Sequence, residues 1–133
     1  MTAQLAGIGS ALSLLIWIVL NVRHLRAVAR WAKTRSRPRI SWDDRPRAVA
    51  ILATLAMVLA IGLVLQARWG YGLTVPLAAA GCVLESAVRV VPHLRASEQR
   101  LAMDHVMMSL PLLAALVLAV IGWNRLPPLT AGV

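Results

Sequence analysis

Glu85 lies in a stretch that is otherwise free of charge from residue 69 to residue 88, and Arg89 follows it by four positions. That spacing puts both on one helical face, in the favourable acid-before-base order. An ionisable group at membrane depth costs roughly 2.5–3.5 kcal/mol on insertion scales, so it is expected to face a partner or a cavity. Two chemistries follow. The carboxyl could serve as a proton or cation site tuned by Arg89. Alternatively, the two form an internal ion pair, with Arg89 snorkelling toward the headgroups and neutralising Glu85. The ion pair is preferred because it asks for nothing beyond these two residues.

His24, His93 and His105 all fall at the same kind of position, the ends of apolar runs on the basic side of the chain. Three such imidazoles could ligate a metal, or haem if two faced each other inside a bundle. Haem-binding pairs normally sit deeper, so solvated interfacial histidines are expected here and no cofactor is implied. Met103, Met107 and Met108 cluster around His105, a soft donor set that suits Cu(I). Methionine is equally an apolar filler, and that reading is preferred. Cys82 is alone, which excludes an intrachain disulfide. Ser86 and Ser109 have no base that sequence can pair with them, and the chain has no phosphate-cradling glycine loop and no CxxC motif. A non-enzymatic protein with no metal site is the expectation.

The elements that must position these residues are apolar runs. Uncharged stretches cover residues 2–22, 48–67, 69–84 and 106–124. Crossing a hydrocarbon core takes about 20 apolar residues, and the third run reaches that length by continuing through Glu85 to residue 91. Hydrophobic residues form 59% of the chain and the mean hydropathy is +0.73, against about 45–50% apolar in a soluble domain. The expected fold is an all-α membrane protein, one domain of four transmembrane helices in a small bundle. The spans are placed at about 3–22, 47–67, 71–91 and 105–123, with a basic loop over 23–46. No basic residue precedes the first run and no small-residue cleavage site follows it, so it is expected to remain as a span.

Charge sets the expected orientation. Twelve of the fourteen lysines and arginines lie at residues 23–47 and 89–100, leaving only Arg68 and Arg125 for the other side. Basic residues are retained in the cytoplasm, so both termini are expected outside and the protein in the cell (inner) membrane. Trp69, Tyr71 and Trp123 then fall at the outer interface, Trp31 and Trp42 near the inner one. The net charge of +9 and isoelectric point near 11.8 would point to nucleic acid in a soluble protein. Here topology and anionic headgroups account for them. Arg23, Arg26, Arg30, Lys33 and Arg37 follow a 3–4–3–4 spacing and form one basic helical face, for lipid or an acidic partner. That helix should continue the first span or lie on the headgroups, and end near Ser36 ahead of Pro38. Asp44 and Ser97 are expected to cap the second and fourth helices, and Pro111 to kink the fourth. A tight turn is expected at 68–72, around Gly70 and Gly72.

Small residues stripe every run: Gly9 and Ser13; Ala53, Ala56 and Ala60; Ala78, Gly81 and Cys82; Ala115, Ala119 and Gly122. Such stripes let helix backbones approach closely in lipid.

Three functions are consistent with this pattern. The first is a non-enzymatic membrane component, acting by self-association or as an accessory part of a larger complex. The second rests on a loose resemblance: small size, several spans and basic character resemble phage holins, which permeabilise membranes. Holins commonly end in a charged cytoplasmic tail, whereas residues 127–133 are uncharged and expected outside. The third is a small oligomeric transporter or channel using Glu85. In architecture alone this resembles the small multidrug exporters, whose glutamate lies in the first helix, so no residue carries over. Arginine outnumbers lysine thirteen to one and phenylalanine is absent, as expected of a high-GC bacterial or phage genome.

Overall fold

A computed structural model describes residues 2–34, 46–95, 97 and 99–127. Helix α1 covers Ala3–Thr34, α2 Pro46–Val64 and α3 Arg68–Glu85; a π-helical turn, Ser86–Val90, leads into the short α4, Val91–Arg95, and α5 covers Gln99–Arg125. No strand occurs among the described residues. Four segments are long and apolar enough to cross a membrane: Ala3–Ala27, Arg47–Val64, Arg68–Arg95 and Ala102–Arg125.

The first span runs directly into the basic segment as one helix. Arg23 and Arg26 on it are exposed; the side chains of Arg30 and Lys33, all of Arg37, and the expected cap Asp44 lie outside what is described. Pro46 opens α2, where its missing N–H would have been an orphan donor anyway. The reversal between α2 and α3 is earlier than expected. The helix closes at Leu65–Ala67, where Gln66 takes φ 57°. The Gln66 N–H donates to the Leu63 carbonyl and the Ala67 N–H to that of Gly62, the paired bonds that satisfy a helix C-terminus. Residues 68–72 therefore already belong to α3, and their glycines serve helix contact instead of the turn.

Ser97 does not cap α5. It sits in the turn before it, at φ 60°, with its N–H on the Leu94 carbonyl. Helix α5 continues through Pro111. The π turn has a local cause: Pro92 cannot donate to the carbonyl four residues back and its ring crowds that carbonyl. The backbone opens by one residue, and the Val91 N–H bonds to Ser86.

Helix α1 packs on α2 and α5, and α3 packs on α5 and α2, so α1 and α3 oppose each other diagonally. The interior is built from the small stripes, with Ala56, Ala60, Ala78, Ala115 and Ala119 buried among Leu14, Leu59, Leu63 and Leu112. Large apolar side chains cover the outside of every span, the distribution that lipid favours over water. An apolar cavity of about 60 Å³, half open at the surface beside Leu55 and Leu77, is bordered inward by Leu14, Trp17, Ala56, Leu59, Ala78 and Leu112.

Candidate intramembrane polar site

Between that cavity and the basic end, three helices contribute short polar series. Helix α1 contributes Trp17, Asn21 and His24, spaced four and three residues apart. The segment from α3 to α4 contributes Glu85, Arg89 and His93; α5 contributes His105 and Ser109. In an uninterrupted α-helix, Glu85 and His93 would be about 80° apart around the axis. The wider π turn between them takes back much of that drift, so the whole series faces inward.

The residues meet in three levels. Deepest, the Trp17 indole Nε1–H donates to Glu85 Oε1 at 3.0 Å across the diagonal of the bundle. Ser109 Oγ donates to Glu85 Oε2 at 2.5 Å. That hydroxyl also lies 2.9 Å from the His105 carbonyl oxygen, and with one proton it serves one acceptor at a time. One turn outward, Arg89 Nη1 is 3.8 Å from Glu85 Oε1 and donates to Asn21 Oδ1 at 3.3 Å. Asn21 in turn donates from Nδ2 to the Trp17 carbonyl at 2.8 Å. Outermost, His105 lies against two other imidazoles. Its ring centroid is 5.0 Å from that of His93, stacked at 9°, and 5.0 Å from that of His24, edge-on at 77°.

Glu85 and Arg89, paired in the sequence reading, are thus together. Arg89 does not snorkel, however: it is 3% exposed, with Glu85 at 7%. Asn21 supplies the partner that headgroups would have supplied. The histidines also depart from expectation, because His105 is 6% exposed and in ring contact with the other two. The ring nitrogens of the stacked His93 and His105 lie in parallel planes, so their lone pairs do not converge on one centre. Among the described residues, no group of three or more His, Cys, Asp or Glu side chains is placed to hold a metal ion.

Sequence alone singles out neither Trp17 nor Asn21, and it offers Ser109 only as a hydroxyl without a base. A signal was present: Trp17, Asn21 and His24 share one face of the first run, and Ser109 stands one turn from His105. Neither series names its partner.

The opposite end of the bundle is built differently. Tyr71, expected at the interface, is fully buried, and its hydroxyl donates to the Ala3 carbonyl at 2.6 Å. Gly7 and Gly122 make room for its ring. Trp69 and Trp123 are exposed, as an interfacial position requires. Arg68 lies 5.0 Å from the centroid of the Trp123 ring and donates to the Pro127 carbonyl. The buried hydroxyls of Ser10 and Thr74 donate to the carbonyls of Ala115 and Gly70 at 2.8 and 2.6 Å.

The fold and site together define an all-helical chain with four helices fit to cross a membrane and a buried polar series in one half. Comparison with known protein families, curated proteins and solved structures finds no match.

Proposed function

We propose that this chain is a multi-pass protein of the cell (inner) membrane that acts without catalysis, by associating with copies of itself or as an accessory component of a larger membrane complex. Its termini face outward, and the basic segment 23–46 lies in the cytoplasm against anionic headgroups. The reading is supported above all by how Glu85 is used. Both carboxylate oxygens accept hydrogen bonds, from Trp17 and Ser109, and Arg89 lies beside them. Trp17, which donates to Glu85, also borders the apolar cavity. A carboxylate so engaged holds helices together; it is not displayed to a passing solute. The twelve-to-two distribution of basic residues supports the orientation.

Reporter fusions at Val133 test the topology: an extracytoplasmic C-terminus is expected, and a cytoplasmic one would invert the scheme. Induced expression is expected to leave the membrane potential intact, whereas its collapse would favour the permeabilising alternative.

A second reading, a small oligomeric transporter or channel using Glu85, draws on one observation: titratable and polar groups on three helices lie between the basic end and the carboxylate. Flux into proteoliposomes, with wild type and Glu85→Gln, decides between the two. Ion- or pH-dependent flux lost in a normally folded variant would establish transport. Absence of flux from the wild type at every pH would end it.

A further inference from the structure

Helices α2 and α3 touch backbone to backbone at the hairpin, where a Cβ on Gly70 would lie 2.5 Å from the Gly62 carbonyl carbon. About two turns further along each helix, at Leu55 and Leu77, the apolar crevice opens between them. Both leucines are 39% exposed, whereas Leu14, Trp17, Ala56 and Leu112 deeper in are 2%, 7%, 3% and 3% exposed. Leu14 and Trp17 come from α1 and Leu112 from α5, so all four spans build the crevice. Its lining residues lie within about one turn of the midpoints of their candidate spans.

We propose that this crevice binds one acyl chain of a bilayer phospholipid, with Trp17 as the contact at its floor. The inference rests on the reading of the chain as a membrane protein. Chemistry, size and position select the occupant. The lining side chains are those of leucine, alanine, glycine and tryptophan, and their one polar atom, Trp17 Nε1, already donates to Glu85 Oε1 at 3.0 Å. A water molecule needs several polar partners and finds none among these side chains. A volume of about 60 Å³ admits a slim chain, but not a helix, which is about 10–12 Å across with its side chains. The mouth opens among exposed leucines level with the middle of the spans, where a bilayer offers hydrocarbon and no water. Left unfilled, the gap would forfeit the dispersion contacts of its lining.

The same indole serves the crevice and the polar site. Trp17 lines the one and gives its N–H to the carboxylate of the other. An acyl chain seated there packs against the side chain that ties α1 to Glu85. An indole only 7% exposed to the surroundings of the bundle is thereby in contact with lipid.

The test uses the full chain in phosphatidylcholine liposomes whose acyl chains carry bromine midway along their length, a short-range quencher of indole fluorescence. Trp31, Trp42, Trp69 and Trp123 are changed to Phe, so that all emission comes from Trp17. The expected result is loss of most of that emission, and its recovery when Ala56→Leu fills the crevice. Leu77→Phe, which covers the mouth from an exposed position, repeats the test should Ala56→Leu fold poorly. Should the variant with Trp17 alone fold poorly, the difference in quenching between wild type and Trp17→Phe gives the same reading. Insertion is measured separately, as retention in the liposomes after alkaline extraction; a protein that washes off would end the membrane reading and this proposal with it. In an inserted protein, an unquenched Trp17 would overturn the proposal alone, as would quenching that persists in both crevice variants. Protection of Trp17 that grows with the protein-to-lipid ratio would also overturn it, by assigning the crevice to a side chain of a second copy.

Discussion

At the hairpin end of the bundle the helices meet through glycine and a buried tyrosine; at the basic end they meet through an ion pair, an indole and three imidazoles. The first kind of contact depends on shape. Lipid offers no hydrophobic drive between helices, so they associate where small residues let backbones touch. A Cβ on Gly70 would lie 2.5 Å from the Gly62 carbonyl carbon and 2.7 Å from the Leu63 nitrogen, both backbone atoms that cannot turn aside. The second kind depends on matching. Glu85 and Arg89 are made tolerable in the interior by the hydrogen bonds they form with Trp17, Ser109 and Asn21. Shape fails when an atom is added, and matching fails when a partner is removed.

Stability in mixed detergent micelles, read by titration with a denaturing detergent, can break this contrast. The largest loss is expected for Glu85→Leu, which removes the carboxylate 3.8 Å from the buried Arg89 guanidinium. Removing one partner of such a pair costs about 3–5 kcal/mol. Glu85→Gln, which keeps the shape and an acceptor for Trp17, should cost clearly less. Equal losses in the two variants would mean that charge matching is not what holds this end.

Gly70→Ala comes next, at about 1–3 kcal/mol for overpacking, after the better helix propensity of alanine has offset part of a larger strain. If this variant were as stable as the wild type, the backbone contact with Gly62 would not govern the hairpin end. The smallest effect is expected for Tyr71→Phe. Losing one neutral hydrogen bond to Ala3 costs about 0.5–1.5 kcal/mol, because the ring still fills the space left by Gly7 and Gly122. A loss above that range would show the hairpin end to be held by bonding after all.

Much of this could be read from the chain alone. The apolar lengths determine four helices, the first, second and fourth uncharged and the third carried to spanning length through Glu85 and Arg89. Glu85 and Arg89 are paired by helical periodicity, and the 3–4–3–4 basic series extends the first helix past its span, as α1 does. Pro46 marks a start because its geometry permits little else. What periodicity cannot supply is the identity of the helix across the way. Trp17 reaches Glu85 over a diagonal, between residues 68 positions apart, and Ser109 becomes a partner only because α5 lies beside α3. The burial of Tyr71, the inward turn of Arg89 and the meeting of the three histidines have the same origin. Each residue's face is local, set by 3.6 residues per turn. Its partner is set by how four helices, each with a small-residue stripe, pack to exclude lipid, and that choice is made only in the assembled bundle.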